Sequence, residues 1–502
     1  MRDTPTMAQY LERPQHPARN LIASFLVCIV AAVLVGLLFD RVGLARTAAL
    51  IAGAVIVMLG LRDFRIFAVL VVFLLPFVPI RFLSQAVAGL SGLRIVGMAI
   101  LMTAAAVFIA VAVRPGQLRF PAWRPVFLAY LLVFVVAALD GARSVSLIPA
   151  YFNVLGVFSE TTALGYLQVM LFSPGLVIVA SYVMALLAAN TRRPAWVTVP
   201  VLASAVLLAA LLCLVATGTS STVDELAQQE SRRHLSVLGP HANELGLVLN
   251  MALALALCSL GQARSRAAAL WLGAGSLVLA AGILLTFSRG AFLGLLVVMV
   301  YAVLVRRKGG WLPLVLVALA LAVAAMSDAV VGRALHGIGG NDIDLISSGR
   351  VNEIWRPLLP EIARHPLFGS GHASILWSEA AQSRSILPVG HPHSAYLASL
   401  LDVGIAGSII TLVFFVHMWR LFLRVARAGQ AHGLRGFFLG AAACIPLLLV
   451  QGITDDSFMP GFTHVYLWLA YGAATGITAR RDRIPAPHRR AEALERPTKD
   501  IQ

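Results

Sequence analysis

Fourteen apolar stretches run through this chain of 502 residues, and its basic residues lie mainly between alternate stretches. Hydrophobic residues make up 59% of the chain and charged residues only 12%, with a mean hydropathy of +0.86. A water-soluble domain would bury such an excess in one core, whereas here it recurs in runs long enough to cross a bilayer. The sequence therefore predicts a polytopic membrane protein.

Each stretch is predicted to be a helix, because backbone amides in hydrocarbon have to be satisfied within their own segment. We place the spans at 21–39, 44–61, 66–80, 94–113, 125–139, 170–189, 196–217, 244–261, 268–286, 291–305, 311–326, 402–423, 434–452 and 463–478. The spans 66–80 and 291–305 are short. The predicted fold class is an all-α, polytopic transmembrane helix bundle of about 12 to 14 spans.

The charge pattern orients the bundle. Segments on one side of the predicted bilayer hold 26 of the 39 Lys and Arg residues but only 7 of the 23 acidic residues. Lys and Arg are retained on the cytoplasmic side during insertion, so both termini are predicted to be cytoplasmic. The net charge of +16 is therefore mainly a topology signal rather than a nucleic-acid footprint. The basic tail is expected to be solvated or to rest on anionic membrane lipid.

The positions of the four cysteines give no sign of a covalent or metal-bound framework. Cys28, Cys213, Cys258 and Cys444 all lie within spans, so no disulfide framework or zinc site is indicated.

The spans and loops divide the chain into four predicted regions. We expect an N-terminal transmembrane half (1–217), a region with a large outer loop (218–423, loop 327–401), C-terminal spans (424–478) and a basic cytoplasmic tail (479–502).

Two outer segments are long enough to carry function. Residues 218–243 are polar, and the loop 327–401 contains VNEIWRPLLPEIARH and SILWSEAAQSRSIL, which we predict to form short helices. Loops of this length in a compact protein are more often functional than idle. They predict a structured region over the outer face of the bundle.

A sequence of short motifs runs through this outer region. GPHAN occupies 239–243, SRG 288–290, SGR 348–350, HPLFGSG 365–371 and HPHSAYLASLLDVGIAG 391–407. In this order and placement, over roughly residues 230–420, they resemble the O-antigen ligase and O-antigen polymerase superfamily of bacterial membrane proteins. The N-terminal half shares only its hydropathy with that superfamily.

The resemblance implies a glycosyltransferase of the bacterial inner membrane with a periplasmic active site in the large loop region. The donor would be a glycan linked to undecaprenyl diphosphate. The acceptor would be a hydroxyl of the lipid A core in a ligase, or of the growing polysaccharide in a polymerase. Neither a metal nor a cofactor is implied. The choice between ligase and polymerase, the sugar and its linkage stay open.

The resemblance also assigns site residues. In the superfamily, arginines hold the carrier diphosphate and a loop histidine deprotonates the acceptor. The matching positions here are His393 and Arg289 as catalytic residues, and Arg232, Arg233, Arg350, His391 and Asn243 as residues that bind the diphosphate or glycan. Ser394 stands where the superfamily usually has Asn after the key histidine, which puts the acceptor geometry in question.

The chemistry of transfer independently favours these residue types. Negative charge grows on the diphosphate as the glycosidic bond breaks, and the planar guanidinium of Arg binds phosphate oxygens through two hydrogen bonds. An imidazole is the usual base near neutral pH.

Structural alternatives stay open for several of these candidates. Arg289 would snorkel to lipid headgroups, Arg350 would only start a helix, and His391 would only fix the turn before His393. Of Arg232 and Arg233, only one is expected to act on substrate.

Two other functions remain as alternatives. The first is a non-enzymatic transporter, or flippase, of the same lipid-linked glycan. Transporters usually place charged residues and broken helices near the membrane midplane in two related halves, and no matching halves are evident here. The second is a peptidoglycan-type polymerase, which the motifs of the large loop disfavour.

Overall fold

The computed structural model describes residues 57–80, 95–113, 115–219, 238–305, 349–428, 432–454 and 457–482, and the single positions 235 and 317. The chain divides into two compact units, Met1–Asp63 and Phe64–Gln502. In the first unit, residues 57–62 are helical. The predicted span 21–39, most of 44–61 and nearly all of 311–326 lie outside the described residues.

The described part of the second unit is helical and contains no β-strand. Its main helices, labelled α1 to α12 in chain order, are Arg65–Leu74, Ile95–Val113, Pro125–Ser144, Ala163–Asn190, Thr198–Thr219, Ala242–Leu260, Arg266–Leu284, Arg289–Val305, Arg356–Arg364, Ala395–Arg427, His432–Gln451 and Val465–Asp482. Among the described residues, eight helices are long and apolar enough to cross a membrane, namely α2 to α7, α10 and α11. The predicted all-α transmembrane bundle is confirmed.

Large apolar side chains lie exposed on these helices. Phe108 in α2 is 75% exposed, Trp271 in α7 is 81% exposed and Leu304 in α8 is 77% exposed. Such side chains are suited to contact with lipid, because hydrocarbon imposes no cost on apolar surface. The protein is thus a multi-pass membrane protein.

The helix termini collect at two ends of the bundle. At one end, which we call the outer end, α6 begins, α7 ends and α8 begins, and Ser288 is hydrogen-bonded to Asn243. At the other end, α4 and α12 both terminate, and Arg480 Nη1 donates to Thr191 O over 2.5 Å. The motifs singled out in the sequence lie at the outer end.

Glycines allow the helices of the core to approach closely. A Cβ added to Gly440 of α11 would lie 2.4 Å from Ala254 O of α6. A Cβ added to Gly472 of α12 would lie 2.0 Å from Ser181 O of α4. Small residues at such interfaces bring backbones together, which is how transmembrane helices gain packing energy without a hydrophobic driving force.

The helix α10 is broken at Gly404, where φ is 62° and ψ is −168°. The segment 365–371 lies against this break and replaces the lost helical hydrogen bonds. Two N–H groups of the segment donate to α10, namely Ser370 N to Leu401 O (2.8 Å) and Gly371 N to Asp402 O (3.0 Å). Two N–H groups of α10 donate to the segment, namely Ile405 N to Pro366 O (2.9 Å) and Ala406 N to Leu367 O (3.0 Å). Only glycine fits at Gly404, because an added Cβ would lie 2.4 Å from the carbonyl carbon of Leu367.

The large loop is partly helical, as predicted. Residues 351–364 form one continuous helical stretch that ends with α9, and short helical turns occupy Ser374–Trp377 and Glu379–Gln382. One span prediction needs correction, since α10 begins at Ala395 rather than at 402. Hydropathy placed Ser399 outside the span and Asp402 at its first position, whereas both are buried polar residues within α10.

Candidate active site

The SRG turn joins α7 to α8 at the outer end. Phe287 adopts a left-handed backbone with φ of 48°, and its side chain is only 3% exposed. Ser288 then caps α8, because its Oγ accepts a hydrogen bond from Ala291 N over 3.2 Å. Arg289 is therefore the first residue of α8, and its half-buried side chain lies at the outer end of the bundle.

Asn243 connects this turn to the GPHAN element. It lies in the first turn of α6, and its Oδ1 accepts a hydrogen bond from Ser288 Oγ over 2.6 Å. Upstream, Gly239 has φ of 91°, and an added Cβ would collide with Pro79 O. The two motifs are thus in direct contact, and Asn243 lies beside the residue that precedes Arg289.

Two buried amides fix the start of α8. Gln451, the last residue of α11, donates from Nε2 to Gly290 O over 2.8 Å. Asn250 of α6 donates from Nδ2 to Ala291 O over 2.8 Å. A buried N–H group is costly unless it is hydrogen-bonded, so these two donors hold the peptide carbonyls that follow Arg289 in one orientation.

The C-terminal end of α11 also contacts the large loop. Gly452 O accepts a hydrogen bond from Ala395 N over 2.7 Å, at the start of α10. Thr454 O accepts a hydrogen bond from Arg350 Nη1. Residues 451–454 therefore touch the SRG turn, the SGR element and the start of α10.

The HPH turn precedes α10. His393 has a left-handed backbone with φ of 54°, and its N–H donates to His391 Nδ1 over 2.9 Å. The two imidazole rings lie 5.9 Å apart and nearly perpendicular. Trp355 Nε1 donates to Pro392 O over 2.8 Å, which ties the turn to the helical stretch before α9. The ring of His391 is thus hydrogen-bonded to the backbone of this turn.

Ser394 has a clear structural role. It is the N-cap of α10, and its Oγ accepts a hydrogen bond from Leu397 N over 3.4 Å. Ser and Asn are both strong N-cap residues. The Ser at this position therefore performs a capping role that Asn could also perform, and its side chain is buried at 7% exposure.

Residues 274–412 match the family described as O-antigen ligase. This region belongs to the O-antigen ligase family. The family acts in ligation or polymerisation of glycans at membranes, on lipid-linked glycan and polysaccharide substrates, and the protein is therefore an enzyme of that general kind. A comparison with curated proteins found no match.

The O-antigen ligase region carries four of the predicted site residues, and the structure brings their elements together. Gln451, the last residue of α11, binds Gly290 beside Arg289. The next residue, Gly452, binds Ala395, which stands two residues after His393. Arg350 is bound to the same end of α11. Asn243 lies upstream of the O-antigen ligase match but contacts its SRG turn. Arg232 and Arg233 lie outside the described residues.

Sequence reasoning missed the residues that hold this arrangement together. Gln451 and Asn250 belong to no motif of the O-antigen ligase resemblance, and Thr454 takes part through a backbone carbonyl. The available signal was an amide side chain within or at the end of an apolar span. Polar groups at such positions are expensive and usually have a partner or a function.

Three cysteines lie among the described residues, and no candidate metal site does. Cys213, Cys258 and Cys444 are free thiols. In the part of the chain that the structure describes, no group of three or more His, Cys, Asp or Glu side chains is arranged to hold a metal ion.

Proposed function

We propose that this protein is a metal-independent glycosyltransferase of the bacterial inner membrane. It transfers a glycan from undecaprenyl diphosphate to an acceptor hydroxyl at the periplasmic face. The acceptor is a sugar of the lipid A core or of a growing surface polysaccharide. The observation that supports the proposal best is the convergence of the Arg289, Arg350 and His393 elements on residues 451–454.

The arginines bind the leaving diphosphate. Arg289 begins α8, so the partial positive charge of that helix N-terminus adds to the charge of its guanidinium. Arg350 lies at the start of the helical stretch 351–364 and is held against α11. Cations placed in advance at the diphosphate stabilise the charge that develops in the transition state. We assign Arg232 or Arg233 to the same diphosphate, and Asn243 and His391 to glycan binding.

His393 acts as the general base. The acceptor oxygen attacks the anomeric carbon of the donor sugar, and the imidazole of His393 takes the proton of that hydroxyl. The bond from the anomeric carbon to the diphosphate oxygen breaks, and the diphosphate leaves with the electron pair. A positioned base lowers the barrier by about 3 to 5 kcal/mol. A positioned phosphate cation lowers it by about 3 to 4 kcal/mol.

The direct test is transfer by the purified protein in lipid vesicles. The vesicles contain undecaprenyl-diphosphate-linked glycan from the bacterium in which the protein occurs. Its lipid A core or surface polysaccharide is supplied as the acceptor. We expect a new glycosidic bond, detected by mass spectrometry of the product. Movement of the lipid-linked glycan across the vesicle bilayer with no bond formed would instead identify a flippase.

The proposed orientation predicts a labelling pattern. Ser385 is exposed in the large loop, and Ala267 is exposed at the opposite end of the bundle. In a parent without native cysteines, Ser385→Cys should react with an impermeant thiol reagent in intact spheroplasts. Ala267→Cys should react only after permeabilisation. The reverse pattern would place the active site in the cytoplasm.

A further inference from the structure

A buried carboxylate lies beside the break in α10. Asp402 is 6% exposed and stands two residues before Gly404. Its Oδ1 accepts hydrogen bonds from Ser374 N over 3.0 Å and from Ser374 Oγ over 2.9 Å. A buried carboxylate is tolerated when its oxygens are satisfied in this way.

The second carboxylate oxygen holds an imidazole. Asp402 Oδ2 lies 3.1 Å from His372 Nδ1, so the proton of a neutral His372 ring is assigned to Nδ1. That leaves Nε2 as a hydrogen-bond acceptor. Among the described residues, Nε2 of His372 has no hydrogen-bond partner. The ring is therefore oriented and carries one unused nitrogen.

The backbone around His372 is equally constrained. Its N–H donates to Ala137 O over 2.8 Å, and its carbonyl accepts a hydrogen bond from the Tyr166 hydroxyl. Gly371 before it packs so tightly that an added Cβ would lie 2.4 Å from Gly141 N. Both the ring and the main chain of His372 are thus held in place before any ligand binds, which is the geometry of a prepared binding group.

His372 lines a cavity of about 510 Å³ at the outer end, a size typical of small-molecule sites. Its other polar lining residues are Glu244, Ser173, Ser457 and Thr463, and the remaining lining is mostly proline and aliphatic, with Phe462. No Lys or Arg is among the described residues that line it. A ligand with several hydroxyls and apolar C–H faces fits this described lining.

We propose that this cavity binds an uncharged saccharide of the substrate, and that His372, positioned by Asp402, accepts a hydrogen bond from one of its hydroxyls. The identity of the saccharide rests on the proposed glycosyl transfer. Neither Arg289 nor His393 lines the cavity. His372 thus binds sugar away from the glycosidic bond that breaks. The cavity adjoins the SRG turn through α6, because Glu244 lines the cavity and the preceding residue, Asn243, contacts that turn.

The variant His372→Asn isolates the proposed nitrogen. An Asn amide can keep the hydrogen bond to Asp402 but offers nothing at the Nε2 position. We expect binding of soluble oligosaccharide, prepared from the host cell's own surface polysaccharide, to weaken about tenfold by titration calorimetry. The matched control is His365→Asn, which changes an exposed histidine of the same segment and should leave binding unchanged.

A second variant tests the positioning role of Asp402. Asp402→Asn keeps an oxygen for Ser374 but presents an N–H to His372, which moves the ring proton to Nε2. Weaker saccharide binding with an unchanged Tm supports the proposal. Full affinity in both His372→Asn and Asp402→Asn would overturn it.

Transfer kinetics separate the two possible sources of the saccharide. A higher KM for the acceptor alone identifies the acceptor glycan, and a higher KM for the lipid-linked donor alone identifies the donor glycan. If wild type binds oligosaccharide but forms no glycosidic bond, the glycosyltransferase proposal fails while the cavity proposal stands. If wild type forms the bond and His372→Asn binds saccharide normally, only the cavity proposal fails.

Discussion

Replacing His393 with Asn is expected to lower kcat of glycan transfer about 10²- to 10⁴-fold, the usual contribution of a positioned general base. Asn tolerates the left-handed backbone that His393 adopts at φ of 54°. The substitution therefore removes the imidazole while leaving the turn and the start of α10 in place. Steady-state kinetics in vesicles, with thermal unfolding as a check on folding, measure the effect.

The matched control for this variant is His365→Asn, at the exposed histidine that begins the segment 365–371. It removes an imidazole from the same loop without touching the turn before α10, and its kcat should equal that of wild type. Full turnover by His393→Asn would show that another group takes the acceptor proton.

Replacing Arg289 with Gln is expected to lower kcat about 10²- to 10³-fold, because the leaving diphosphate loses a cation fixed at a helix N-terminus. Arg289→Lys should recover part of the activity, since it keeps the charge but loses the planar pair of donors that binds phosphate bidentately. Measurement of kcat and of KM for the lipid-linked donor separates the transition-state effect from simple binding.

The control for Arg289 is Arg143→Gln. Arg143 lies at the end of α3, and its side chain is 83% exposed with its guanidinium 3.8 Å from the carboxylate of Asp140. Removal of this charge should leave transfer unchanged. Equal kcat in Arg289→Gln and wild type would mean that Arg289 only reaches towards lipid headgroups, as its structural alternative holds.

The helices were predictable because hydropathy reports the environment of whole segments. The spans around α2, α6, α7 and α8 were placed within a few residues of their observed limits. The start of α10 was not, because the polar residues Ser399 and Asp402 lower the hydropathy there. Ser399 is hydrogen-bonded to Ser408 of α10 itself, and Asp402 to Ser374 of the large loop. A hydropathy average over neighbouring residues contains no information about the hydrogen bonds that Ser374 donates to Asp402.

The site was predictable to the extent that its residues lie in motifs. Arg289, His393 and Asn243 were singled out, and their elements do meet at the outer end. The role of Gln451 was not predicted, because it consists of a hydrogen bond to Gly290 O, and Gly290 lies 161 positions away in the chain. Contacts of that kind follow from helix packing, which residue patterns in one sequence do not specify.

The order of synthesis gives the break in α10 a further meaning. Residues 365–371 precede α10 in the chain, so the backbone groups that complete the break are synthesised before Gly404. Until they dock, four peptide groups of α10 lack these partners, and an apolar environment strongly disfavours unpaired backbone groups. The final form of α10 therefore depends on docking of the segment that precedes it.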